Sequence, residues 1–287
     1  MVFNKQLFRK VTIVGVGLIG GSIGLAIRKH NLAREIVGVS QKSTSLDYAL
    51  KIKAIDRGFT DLQAAIQHSD LIILATPVLT IINFLVKLAP LIRHSCIITD
   101  VGSTKKAIVE AAHKILPNHA FFIGSHPLAG SEKMGVVNAI AELFENSSCI
   151  ITPTDKTNRL ARDKIKHFWA KVGADVKVLT PEEHDKALAF ISHLPHLLAY
   201  GLIDSIPSEF IPFAAQGLKD TTRIASSSPQ MWNDICLSNS EYILKTLDEF
   251  VKNIGAFRRA IMTKDEKELI EHLQRAKNKR DNLSKNA

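Results

Sequence analysis

The stretch VTIVGVGLIGGSIG, Val11–Gly24, decides the fold. Val11–Val14 is an apolar run of the kind that makes a buried strand, and it opens into Gly15, Gly17 and Gly20 in GxGxxG order. Each glycine has a physical task there. The first permits a tight turn, the second lets backbone approach a pyrophosphate, and the third packs the next helix close to the strand, with its N-terminus towards the phosphates. Glycines also serve plain helix packing. Directly after a strand and opening a helix, however, the pattern predicts a dinucleotide-binding turn contacted by Gly15, Gly17, Leu18, Ile19 and Gly20.

Outward from that turn, short Val/Ile/Leu runs alternate with amphipathic ones. EIVGVS, DLIILATP, SCIITDVGS and AFFI each precede or follow a helical stretch, and SSCIITP and ADVKVL bracket RLARDKIKHFWAKVG. Near-continuous apolar strands alternating with helices predict an α/β fold, a Rossmann-like doubly wound parallel sheet, over residues 1–178. After Pro181 the strand signals stop. The rest, residues 179–287, is expected to be an all-helical domain, with Thr180, Pro181 and Glu183 forming the first helix start. PEEHDKALAFISHLPHLLAYGLIDSI is apolar on more than one face and should kink at Pro195. So small a domain cannot hide such a helix, which points to a homodimer through the helical part.

The bulk numbers narrow the function. A chain of 287 residues that is 46% hydrophobic, with a formal charge of +9 spread along its length, is neither disordered nor fibrous. The basic tail RAKNKRDNLSKNA lacks interleaved aromatics, so neither nucleic acid nor a membrane is expected as a partner; a small anionic ligand suits the field. Cys96, Cys149 and Cys236 lie far apart and read as thiols of a reducing compartment. Lys5, Arg9 and Lys10 ahead of the apolar run imitate a signal peptide, but the glycines spoil an inserting helix, and a cytoplasmic location is expected.

The cofactor's identity turns on the end of the second strand. An acid that would grip the adenosine ribose is missing at Ser40, and SQKSTS offers Ser40, Lys42, Ser43 and Thr44 instead, a set better able to hold a 2′-phosphate. NADP is therefore favoured over NAD, although a solvated polar turn would look the same. Two later strand ends lie on the ligand edge of such a sheet. Thr76 and Pro77 are placed on the nicotinamide side, and Ser103 within reach of substrate or cofactor, unless Ser103 and Thr104 only cap the next helix.

GSHPLAG, Gly124–Gly130, puts His126 in the turn where a further strand should end, and SHLPH puts His193 and His196 one turn apart. Three histidines could hold a metal; zinc is discounted because no cysteine or suitably spaced carboxylate accompanies them. Arg223 offers a planar fork for a carboxylate, or an intrahelical pair with Asp220, and Trp232 is core or wall.

GVGLIGGS, TDVGSTK, GSHPLAGSEKMG, SHLPH and LKDTTRIASSSPQMW, in this order, closely resemble the prephenate and arogenate dehydrogenases of tyrosine biosynthesis. The resemblance implies a Rossmann-like domain followed by a helical dimerisation domain, and oxidative decarboxylation of a cyclohexadienol carboxylate with hydride transfer to NAD(P). It implies catalytic roles for His126 and Ser103, carboxylate binding by Arg223, and a substrate pocket lined by His193, His196, Ser131 and Glu132, beside which Trp232 is placed as the wall. His126 would accept the substrate hydroxyl proton as a neutral base. A β-hydroxyacid dehydrogenase would be expected to use a lysine base instead, and a non-catalytic dinucleotide sensor has no need of these histidines and Arg223 together.

Overall fold

The computed structural model describes residues 6–92, 94–130 and 133–285. Among these, the strands β1 (Phe8–Val14), β2 (Ala33–Val39), β3 (Arg57–Phe59), β4 (Leu71–Leu74), β5 (Cys96–Asp100), β6 (Ala120–Pro127), β7 (Ser148–Thr152) and β8 (Asp175–Val178) form one sheet. Their order is β3-β2-β1-β4-β5-β6-β7-β8. Helices α1 (Leu18–Lys29), α2 (Ser43–Lys51), α3 (Leu62–Ile66), α4 (Val78–Leu88), α5 (Lys106–Ile115) and α6 (Arg159–Lys171) connect the strands. The chain then continues as α7 (Pro181–Leu188), α8 (Leu194–Asp204), α9 (Gln216–Thr222), α10 (Pro229–Ser238), α11 (Ser240–Thr263) and α12 (Glu266–Lys285).

Successive strand residues feed two cores, as the period of two requires. Val11, Ile13, Leu71, Ile73 and Ile151 belong to one, and Val14, Val37, Ile72, Leu74 and Ile98 to the other. β1 pairs in parallel with both β2 and β4, so the order reverses beside it and leaves the crevice at its C-terminal end where ligands of such sheets collect.

The sheet is not parallel throughout. β6 and β7 run antiparallel, because no α-helix lies among the described residues between them to carry the chain back across the sheet. This corrects the placement of His126 in a turn: β6 runs through it, and His126 pairs with Ile150. The short β3 is the one strand with no counterpart among the apolar runs.

A capping box starts α7: Thr180 accepts from the Glu183 N–H at 3.2 Å, and the Glu183 carboxylate accepts from the Thr180 N–H at 2.8 Å. Between α7 and α8 lies a π-helical turn, Ala189–His193, which ends two residues before Pro195. A wider turn of this kind relieves a proline ring and its missing N–H, and it lies where the sequence predicts a kink. The run Pro181–Asp204 is long and apolar enough to cross a membrane by length and composition. It nevertheless carries buried His184, Asp185 and His193, while Phe190, Ile191 and Leu202 are exposed.

By compactness the chain forms two units, Met1–Ser240 and Glu241–Ala287. The first holds the sheet and the helices through α10. Within the second, Arg259 pairs with Glu268 at 3.2 Å and the Phe257 and His272 rings lie 5.4 Å apart, so α11 and α12 pack as a hairpin.

Candidate active site

At the end of β1, Gly15 has φ +98°, and a Cβ there would stand 2.5 Å from the Ala75 carbonyl oxygen and 2.7 Å from Thr76 Cγ2. A Cβ on Gly20 would run into the Gly15 carbonyl oxygen. Both glycines are demanded by the protein's own packing. Gly17 is not: a Cβ on it meets nothing within 4 Å. Gly17 is also the N-cap of α1, with no side-chain cap and no acid in the first turn, so this helix end favours an anion. The neighbouring Thr76 hydroxyl is buried without a hydrogen-bond partner. Open space over Gly17, a bare helix N-terminus and an orphaned hydroxyl fit a dinucleotide.

Leu18 and Ile19 open α1 half-buried, and a Cβ on Gly130, in the loop after His126, would lie 3.8 Å from Ile19 Cδ1. Pro77 precedes α4 as its N-cap. At the end of β2, Ser40 Oγ accepts from the Lys42 N–H at 3.2 Å, and Lys42, Ser43 and Thr44 are exposed at the start of α2.

His126 is buried at the ligand edge, 8% exposed. Its Nδ1 lies 2.8 Å from His184 Nε2, and His184 Nδ1 lies 2.8 Å from Asp185 Oδ1. The Asp185 carboxylate in turn accepts the N–H groups of Lys105 at 2.7 Å and Lys106 at 3.0 Å. It thereby caps α5 from another helix, and the capping role weighed for Ser103 and Thr104 falls to it instead. Ser103 stands half-buried in that loop, while Thr104 Oγ1 and Ser238 Oγ meet at 2.9 Å.

Burial pushes His126 well below the ordinary histidine range, with His184, Lys105 and His193 acting in the same direction. His184 is pushed down to about 2 by burial, then by Lys105 and His193. Both rings are neutral. His184 and Asp185 were not among the candidates from sequence. The signal was present: Pro181, His184, Asp185 and Leu188 are the buried residues of α7, the i, i+3, i+4, i+7 stripe of a helix facing a core.

His193 and His196 do share a face. The His196 ring stacks on Trp232 at 3.9 Å, and the His193 ring meets Trp232 edge-on at 6.0 Å. Asn239 Nδ2 donates to the Asp185 carbonyl at 2.8 Å and faces His193 Nδ1 at 3.1 Å. An amide nitrogen only donates, so His193 carries its proton on Nε2, which is buried without a partner, as is the Trp232 indole N–H. Burial lowers His193 to about 4. His196 Nδ1–H donates to the Ser192 carbonyl at 2.8 Å, and burial and the Arg223 charge both lower its pKa.

Arg223 is exposed, in a one-turn 3₁₀ segment, Arg223–Ser226. The alternative partner weighed for it, Asp220, accepts from Gln216 Nε2 at 2.7 Å. The Tyr200 hydroxyl donates to the Ser227 carbonyl at 2.7 Å and ties α8 to this segment. Ser131 and Glu132 lie outside the described residues.

Comparison with known proteins matches this arrangement. The sequence model described as "Prephenate dehydrogenase, nucleotide-binding domain" matches residues 23–178, and that described as "Prephenate dehydrogenase, dimerization domain" matches residues 180–275. The prephenate dehydrogenase of Bacillus subtilis is 39% identical over 286 residues, covering 97% of this chain and 77% of that protein. The cyclohexadienyl dehydrogenase of Zymomonas mobilis is 33% identical, covering 96% of each. Among solved structures, the prephenate dehydrogenase of A. aeolicus in complex with hydroxyphenyl propionate and NAD+ superposes with a TM-score of 0.91 at 34% identity, covering 99% of this chain and 100% of that one. With a glycine turn shaped for a dinucleotide and a buried histidine at the ligand edge of the sheet, this chain belongs to the prephenate dehydrogenase family.

Proposed function

We propose that the protein oxidises and decarboxylates prephenate, arogenate or both, with NADP preferred over NAD, and that it works as a homodimer. The carrying observation is His126, a neutral buried imidazole whose Nδ1 is engaged by His184. That engagement reserves Nε2 for a substrate hydroxyl.

In such a substrate the carbon bearing the hydroxyl gives up hydride, and the opposite ring carbon bears a carboxylate. Bound nicotinamide supplies the hydride acceptor. His126 takes the hydroxyl proton as the C–O bond becomes a carbonyl; the C–C bond to the carboxylate then breaks, carbon dioxide leaves, and its electron pair aromatises the ring. The phenolate oxygen recovers the proton from His126. No metal or strong nucleophile is required, only orientation and one acid–base group. Arg223 and His196, coupled through charge, are assigned to the anionic groups of the substrate, with Trp232 as the wall behind His196. The orphaned Nε2–H of His193 and the hydroxyl of Ser103 complete the pocket.

The absence of an acid at Ser40, with Lys42 beside it, supports NADP. Exposed Phe190 and Ile191, on a segment matched by the family's dimerization domain, support the homodimer. The test is the initial rate of reduced nicotinamide formation in the four pairings of prephenate or arogenate with NAD or NADP. Turnover with NADP ahead of NAD is expected. Silence in all four pairings, from folded protein that binds dinucleotide, would refute the reading.

A further inference from the structure

We infer that His184 and Asp185 are positioning residues that hold the His126 ring in its Nδ1–H tautomer and so keep Nε2 open as the proton acceptor. This rests on the reading of His126 as the base. The hydrogen-bond chain has a direction because it begins at groups that cannot reverse. The main-chain N–H groups of Lys105 and Lys106 only donate, and both end on the Asp185 carboxylate. The same carboxylate oxygen that accepts from Lys105 lies 2.8 Å from His184 Nδ1. The two main-chain N–H bonds favour the ionised carboxylate against burial, and beside an ionised carboxylate only a ring N–H satisfies that contact. In a neutral ring His184 Nε2 is then bare and must accept, and the atom facing it at 2.8 Å, His126 Nδ1, must carry the proton.

The opposite tautomer has no satisfied arrangement. A proton on His126 Nε2 would leave two bare nitrogens facing each other, or, with His184 reversed as well, a bare nitrogen against a carboxylate oxygen. Among the described residues no other neighbour compensates. Lys105 Nζ is committed to Asp100 and to the Ser125 carbonyl, and His193 Nδ1 accepts from Asn239. Burial keeps both rings neutral, which is the condition under which a tautomer can be imposed at all. The relevant partners lie 58 and 80 residues apart in sequence, so the device exists only in the folded chain.

The experiment is nitrogen-15 NMR of the imidazole rings in the full chain, with His126 and His184 resonances assigned by single substitution. Both rings are expected as Nδ1–H. Asp185→Ala removes the fixed acceptor, and His184→Phe keeps a ring of similar size without the acceptor nitrogen; the second variant covers the case in which the first loses the α5 cap and fails to fold. Each folded variant is expected to move His126 towards Nε2–H and to lower kcat by roughly 10²- to 10⁴-fold, the effect of losing an acid–base group, with KM within about twofold. A purely structural role would not change the tautomer. A native His126 protonated on Nε2, or a folded variant with native turnover, overturns the inference. Expected tautomers in a chain that turns over neither prephenate nor arogenate would support the tautomer assignment and sink only the functional reading beneath it.

Discussion

Lys105 and Asp100 form an ion pair with neither side chain exposed, and together they hold both polar main-chain groups of Ser125. The Lys105 ammonium donates to the Ser125 carbonyl at 2.9 Å, and the Ser125 N–H donates to Asp100 at 3.1 Å. Burial pushes the Lys105 ammonium down and the Asp100 carboxyl up, and their mutual attraction opposes both shifts. Since Ser125 immediately precedes His126, the pair fixes the strand end that carries the proposed base.

Removing one member leaves the other charged and buried, which typically costs about 3–5 kcal/mol. Lys105→Met is therefore expected to lower the thermal midpoint by several degrees at pH 7. The double variant with Asp100→Asn should recover part of that loss. Calorimetry of the three proteins checks this; native stability in the single variant would mean that the charge is not needed.

Gly17→Ala separates ligand binding from folding. The added methyl meets no protein atom within 4 Å, so the free protein should melt as the native one does. A crowding cost of about 1.4–2.8 kcal/mol in the complex corresponds to roughly ten- to hundredfold weaker dinucleotide binding. Gly15→Ala, by contrast, forces a side chain onto φ +98° against Ala75, and should destabilise the free protein as well. Titration calorimetry alongside thermal melts distinguishes the two.

In the proposed mechanism the active form of His126 is the neutral one, and burial holds its pKa well below 6.5. Lowering the pKa of a base extends its activity towards acid. The kcat/KM profile should accordingly stay level from neutrality down through pH 6.5 and fall only below it. His126→Asn should cost roughly 10²- to 10⁴-fold in kcat. An acid limb centred at an unperturbed histidine's value, in the native enzyme, would contradict the burial of this ring.

Arg223→Ala should act on binding. Loss of a charge-assisted bond worth about 1.5–3 kcal/mol predicts a KM raised roughly ten- to hundredfold, with kcat changed far less. Steady-state kinetics with the preferred substrate provide the check. A collapsed kcat with an unchanged KM would move Arg223 out of the orienting role.

Stability should also fall in acid before the carboxylates titrate. His193 at about 4 and His184 at about 2 bind protons more weakly folded than unfolded, so their contribution is complete above pH 6.5 and declines below it. His193's share is lost by about pH 4, and that of His184 continues to fall towards pH 2. Asp100 and Asp185, raised by burial, oppose this trend. Denaturant unfolding at pH 7, 6 and 5 should show a net decline that His193→Asn reduces.

What could be read from the sequence was whatever a local pattern encodes. The glycine spacing, the strand–helix alternation, the Thr180 cap and the pairing of His193 with His196 all depend on neighbours within a turn or two. Lys105 was invisible for the opposite reason. In STKK it looks like a surface lysine, and its burial depends on Asp100 and on the Ser125 carbonyl, 20 residues away. The stripe that buries His184 and Asp185 was legible as a helical period, but their partners His126 and Lys105 lie 58 and 80 residues away and were not. The reversal of β7 depended on an absent crossover helix, which periodicity of the strands themselves does not report.

The bond from Asp185 to the start of α5 has a dynamic consequence. The segment joining β8 to α7 lies where a hinge between sheet and helices would be sought, yet α7 is stapled back to the sheet edge by Asp185 on two amides and by His184 on His126. Opening there would break the carboxylate's bonds and release the proton-accepting ring together. Under the proposed mechanism His126 is therefore held in place before substrate binds, and its orientation asks for no reorganisation in the chemical step.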